Sequence, residues 1–214
     1  MFVGNRRLAG AHKRMGERIR LFVAVGLPDS VKTELGSLIQ ALKAADVDGV
    51  RPVRPEGIHL TLKFLGDVDG NRVDAIVEAL SSAAAGHSPF RLGLGEPGAF
   101  PSLRKPRVLW VGVDGDMEAL ASLQSDVEGA LETVGFARDS QAYSPHLTLA
   151  RIHRGAQPSS ARRAADILST ATIQRGAEIP VECISLMRTE LHPDGAIHQR
   201  LVSMPLKDGY RSHI

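Results

Sequence analysis

One four-residue string occurs twice in this chain and constrains its architecture more than any other feature. His-Leu-Thr-Leu stands at His59–Leu62 and again at His146–Leu149, 87 residues further on. Each copy follows an apolar segment at the same distance. RLFVAVGLP opens at Arg20, 39 residues before His59, and RVLWVGVDG opens at Arg107, 39 residues before His146. Two features repeated at matched spacing argue for two copies of one structural unit. A period of 87 residues is too long for stacked solenoid repeats, which points to a duplicated lobe.

Each half reads as strand, helix, strand, helix, strand. The apolar segment is a strand. The spacing then predicts a helix over Asp29–Ala45, with Asp29 or Ser30 as its N-cap and Leu35, Leu38, Ile39 and Leu42 on one face. Its counterpart is Asp116–Val134, with Leu120, Leu123, Val127 and Leu131. The HLTL strands come next, then helices over about Asn71–Ala85 and about Ser159–Thr170. Closing strands follow at Phe90–Leu94 and Val181–Leu191, with an extra one at Gln199–Met204. The expected fold is α+β: two pseudo-symmetric β-α-β-α-β lobes with largely antiparallel sheets facing a central cleft. Residues 19–206 form one bilobal domain, its lobes at roughly 19–100 and 101–206. Each lobe supplies the other's partner surface, so a monomer is expected.

Composition closes off several alternatives. With 214 residues, 43% hydrophobic, and a net charge of +2, the bulk of the chain is not disordered. The longest apolar run, Leu21–Leu27, is about a third of the roughly 20 residues that a membrane-crossing helix needs. A single cysteine, Cys183, excludes an intrachain disulfide and suits a reducing, cytoplasmic setting. Cys183 alternates with Val181 and Ser185 and reads as an inert core thiol. Residues 1–18 carry five basic side chains and no signal-peptide core, so they read as a disordered basic extension. Either that extension helps to hold nucleic acid, or translation starts at Met15. Residues 207–214 read as a tail.

In a strand, residues two apart share a face. The leucines of HLTL therefore face the helices, while His59 with Thr61, and His146 with Thr148, project from the opposite surface. A pseudo-twofold relation brings both pairs into one cleft. Two opposed imidazoles suit acid–base chemistry at a phosphodiester, because histidine accepts or donates a proton near neutral pH. The threonine hydroxyls and Arg151, five residues after His146, are the candidates to hold the phosphoryl oxygens. Phe64 occupies the matching place after His59 and suits stacking on a base or ribose. Tyr143 is grouped with it. Strict alternation turns Phe64 and Arg151 away from the histidines, so both assignments require a bulge or a strand end. His12, His87, His153, His192, His198 and His213 lack the paired pattern and are left as surface or loop residues.

Two rival readings are carried. One is a non-catalytic module that grips an RNA end or phosphate. The other is a metallohydrolase with His59 and His146 as ligands. The second is weak, because neither motif offers a further His, Cys or carboxylate at ligand spacing. Arg104, Lys105, Arg107, Arg154, Arg162 and Arg163 are candidates to extend a track for RNA.

The strings RLFVAVGLP, VRPEGIHLTLKFLG, GAFPSLRKPRVLWVGV and YSPHLTLAR, with the paired HxTx motifs, resemble the two-histidine phosphoesterases. Within them the likeness is to the RNA 2′,3′-cyclic phosphodiesterase (2′-5′ RNA ligase) family, over about Arg20 to Met204. The resemblance implies cofactor- and metal-independent hydrolysis of a terminal 2′,3′-cyclic phosphate to a 2′-phosphomonoester. Reversible, ATP-independent 2′-5′ joining of RNA ends is implied as well. It makes His59 the proton donor, His146 the proton acceptor, and Thr61, Thr148 and Arg151 the phosphate contacts. The partners so implied are RNA 3′ ends or small 2′,3′-cyclic nucleotides, with no membrane and no obligate protein partner.

Overall fold

A computed structural model describes residues 17–171, 173, 177–192 and 195–207. The expectations for residues 1–18 and 207–214 fall almost wholly outside these. In chain order the elements are β1 (Arg18–Val25), α1 (Asp29–Ala44), β2 (Val50–Pro52), β3 (Leu60–Asp69), α2 (Val73–Ala85), β4 (Phe90–Phe100) and β5 (Val108–Gly115). They continue with α3 (Met117–Thr133), β6 (His146–Ile152), α4 (Pro158–Ser169), β7 (Ile179–Val181), β8 (Cys183–His192) and β9 (Gly195–Pro205). The four expected helices form within about two residues of their sequence bounds, each with an apolar stripe turned inward. In α1, Val31, Leu35, Leu38, Ile39 and Leu42 are buried, each contributing roughly 1.5–3 kcal/mol by leaving water. Its N-cap is Pro28, without a side-chain cap bond; Asp29 is the first helical residue.

The strands make two wholly antiparallel sheets, ordered β3-β1-β8-β9 and β2-β6-β5-β4-β7. Helices α2 and α3 pack on the first sheet, α1 and α4 on the second. The sheets do not divide the chain at residue 100. β2 and β4 from the first half join β5 and β6, while β8 and β9 from the second half return to β1. The halves are thus interlocked, and separating them exposes the edges of both sheets.

Several strands differ from the sequence reading, which has no counterpart of β2 and starts β9 at Gln199. The segment Val181–Leu191 is two strands: β7 pairs with β4, and after Glu182 the chain crosses to pair with β1 as β8. Cys183 begins β8 half-buried, and Ile184 rather than Cys183 enters the core. The strand expected at Phe90–Leu94 runs on to Phe100 through Gly95, Pro97 and Gly98, residues that weaken a strand signal. Gly98 has a steric reason to be there. It pairs with Trp110, and a Cβ on it would lie 2.2 Å from the indole ring.

Candidate active site

The leucines and the histidine–threonine pairs separate as the alternation requires. Leu60, Leu62, Leu147 and Leu149 are at most 2% exposed, whereas His59, Thr61, His146 and Thr148 are half-buried on the opposite faces. Both motif strands then break phase at the same point. Val23 pairs with Lys63 but Ala24 with Thr61, so Leu62 is a bulged extra residue. Leu109 pairs with Ala150 but Trp110 with Thr148, so Leu149 is its counterpart. A bulge shifts the alternation by one residue. Leu62 and Lys63, and likewise Leu149 and Ala150, all face the interior. Phe64 and Arg151 are thereby turned back to the histidine side. Phe64 is 65% exposed, with its ring 6.1 Å from that of Phe22. Arg151 stands close enough to His59 and His198 for its charge to act on both.

The two histidines are held alike. His59 Nδ1 lies 2.8 Å from the Gly57 carbonyl, and His146 Nδ1 lies 2.8 Å from the Ser144 carbonyl. A carbonyl only accepts, so Nδ1 carries the hydrogen in both rings and each Nε2 is the nitrogen left for chemistry. Aromatic rings back both imidazoles. Phe22 lies 4.5 Å from His59, and Phe100 and Trp110 lie 4.9 and 6.1 Å from His146, between ring centroids. Tyr143 ties the two motifs together, its hydroxyl donating to the Thr61 carbonyl at 3.0 Å. That hydroxyl is engaged within the protein, and burial raises its pKa. The hydroxyls of Thr61 and Thr148 have no partner among the described residues.

The sequence reading leaves His198 at the surface, but it belongs to this cluster. Its ring stands edge-on to His59 at 5.0 Å and to Phe22 at 5.2 Å, with Nδ1 3.1 Å from the Thr189 hydroxyl. No repeat marks it, because β9 has no counterpart carrying a histidine. Only the return of β8 and β9 to the first sheet brings it here. Gly57 and Ser144, at the same offset before each histidine, were equally unremarked. Arg107, a candidate for the RNA track, instead donates to the carbonyls of His153 and Arg154. Arg104, Lys105, Arg154, Arg162 and Arg163 are exposed.

Charge makes the two motif histidines parts of one site. Burial lowers the His59 pKa from 6.5 to about 4, opposed by the bond to Gly57 and reinforced by the charges of His198, Arg151 and His146. Burial and Arg151 lower His198 too. The folded protein therefore holds His59 neutral where an unfolded chain would protonate it. Between pH 6.5 and 4 the unfolded state binds the proton more tightly, so stability rises with pH across that window and falls on acidification. At about 1.4 kcal/mol per pKa unit, His59 accounts for a loss of roughly 2–3 kcal/mol. Denaturant titrations at pH 7 and pH 4 should show that loss, and His59→Gln should remove most of it. An unchanged slope in the variant would contradict the burial of this ring.

No group of three or more His, Cys, Asp or Glu side chains among the described residues is placed to hold a metal ion. No helix among them is long and apolar enough to cross a membrane.

Comparison with known proteins gives the same picture. The LigT-like phosphoesterase family model matches twice, over residues 25–110 and 111–198. The RNA 2′,3′-cyclic phosphodiesterase of Archaeoglobus fulgidus is 34% identical over 183 residues, covering 86% of this chain and 98% of that protein. The enzyme of that name from Thermus thermophilus is 32% identical over 194 residues, covering 88% and 91%. Among solved structures, TT0787 of Thermus thermophilus superposes with a TM-score of 0.70 at 28% identity, over 88% of this chain and 98% of that one. Escherichia coli LigT complexed with 3′-AMP shares the fold, with a TM-score of 0.67 at 22% identity over 90% of this chain and all of its own. Two family matches, one over each copy of the histidine motif, make this chain a member of the LigT-like phosphoesterase family.

Proposed function

We propose that this protein is an RNA 2′,3′-cyclic phosphodiesterase that opens a terminal cyclic phosphate by acid–base catalysis between His59 and His146, without a metal. The observation that carries the reading is the matched tethering of the two imidazoles. Each has Nδ1 fixed to a carbonyl two residues upstream, which leaves Nε2 for chemistry, and the charge of Arg151 acts on His59. A cyclic phosphodiester placed between the rings has a base on one side and an acid on the other. His146 Nε2 accepts a proton from water as the water oxygen bonds to phosphorus. His59 Nε2 gives its proton to the 3′-oxygen as the P–O3′ bond breaks, and the phosphate remains on the 2′-oxygen. Thr61, Thr148 and Arg151 hold the non-bridging oxygens and meet the charge that gathers there. With a 5′-hydroxyl in place of water, the same proton transfers join RNA ends through a 2′-5′ bond, and their reversal cleaves that bond and re-forms the cyclic phosphate.

Burial holds the His59 pKa at about 4 in the free protein, yet a donor must be protonated. The bound phosphodiester supplies the opposing charge and raises the group. Because the reaction needs one protonated and one neutral ring, kcat/KM follows a bell whose acid limb lies near pH 4, whichever ring has which task. Product identity shows which P–O bond breaks. RNA ending in a 2′,3′-cyclic phosphate, incubated with excess chelator, should yield a 2′-monoester at full rate. A 3′-monoester would mean that the 2′-oxygen departs instead. Binding without turnover would favour the non-catalytic module, and loss of activity in chelator would favour a metal. The lone cysteine suits a reducing compartment such as the cytoplasm.

A further inference from the structure

We propose a second phosphate subsite at Arg51, which takes the 5′-phosphate of the nucleotide bearing the cyclic phosphate; this rests on the reading just given. Arg51 lies on β2, the edge strand of the five-stranded sheet, and its register partner on β6 is Arg151. Register partners project to the same face. The flanking pairs fix which face that is: Ala150, partner of Pro52, is fully buried, and Ile152, partner of Val50, is 5% exposed. Both residues point to the helices, so Arg51 and Arg151 point to the cleft.

Like charges directly opposite one another weaken an antiparallel pair. Here two exposed guanidiniums adjoin with no carboxylate partner among the described residues. Each is thus left to bind an anion from outside the chain. Arg151 is next to His59, which assigns it the reacting phosphate. Arg51 is one strand further out. An RNA that ends in a cyclic phosphate continues only in the 5′ direction, and its next phosphate is one sugar away. Two guanidiniums on neighbouring strands, with Cα atoms about 4.5–5.5 Å apart and long side chains, span such a separation. The enzyme then favours RNA ends over free nucleoside cyclic phosphates.

The test compares a nucleoside 2′,3′-cyclic phosphate with the same compound carrying a 5′-phosphate. The parent protein should prefer the 5′-phosphorylated compound by about tenfold or more in kcat/KM, as charge-assisted contacts imply. Arg51→Gln should bring that ratio near one while the simpler substrate stays within about twofold, and Arg51→Lys should restore part of the preference. On oligonucleotides the variant should lose about 0.7 from the log–log salt slope. The proposal is overturned if the parent shows no preference, if Arg51→Gln keeps it, or if both substrates fall together. A parallel binding measurement uses a nucleoside 2′,5′-bisphosphate against the nucleoside 2′-phosphate. An Arg51-dependent preference there without turnover would keep the subsite and overturn the catalytic reading instead.

Discussion

His59→Ala and His146→Ala should each lower kcat on a 2′,3′-cyclic phosphate by about 10²–10⁴, with the fold retained. The size follows from losing a positioned proton donor or acceptor, while binding by Thr61, Thr148 and Arg151 persists. Neither ring is a keystone of the core: both are half-buried at a cleft surface, and the leucines between them carry the packing. The double variant should be little worse than the poorer single, because removing either partner already disables the concerted transfer. Losses that multiplied would mean two independent contributions. The roles separate on an aryl phosphodiester, whose phenolate departs without a proton. His59→Ala should hydrolyse it nearly as well as the parent, and His146→Ala should not. Rescue of the second variant instead would exchange the assignments.

Glu128→Ala should cost about 3–5 kcal/mol of stability, more than any cleft substitution named above. The bulge that turns Phe64 into the cleft places Lys63 in the interior at 2% exposure. There its ammonium meets Glu128 Oε2 at 2.6 Å and the Ala137 carbonyl at 2.9 Å, with Asp139 at 3.7 Å. Glu128 also accepts from Gln124 and from the Asp139 backbone N–H, and Gln124 reaches the carbonyl of Leu62, the bulged residue. Removing the carboxylate leaves a buried ammonium with one carbonyl and a half-exposed aspartate. For a chain of this size the loss lowers Tm by roughly 10 °C. Replacing both partners, as Lys63→Met with Glu128→Leu, should recover most of it, since an apolar pair carries no desolvation penalty. Failure of that double variant to recover would show that the network is needed to shape the bulge, and not only to neutralise the charge.

Local pattern carried the parts of this molecule that local physics decides. The 3.6-residue stripes placed four helices, and the two-residue alternation placed His59, Thr61, His146 and Thr148 opposite their leucines. Alternation also showed that Phe64 and Arg151 needed a bulge or a strand end, and bulges stand at Leu62 and Leu149. Pairing between distant strands left no comparable trace. Nothing near Phe90 says that it joins the sheet of β5, and nothing near Cys183 says that the chain has just changed sheets. The same blindness hid His198, which is near His59 only because β9 returns to the first sheet. The Lys63–Glu128 pair was hidden for a related reason, since a lysine after an alternating run reads as solvent-facing until the bulge is seen.

The central claim is that one phosphate lies between the two imidazoles, and histidine NMR tests it most directly. The ring pKa values of His59 and His146 should be measured with and without a nucleoside 2′-phosphate. A phosphate held between the rings raises both, and His59 rises from about 4 by more than one unit. A shift confined to one ring, or to neither while the ligand is bound, would contradict the account.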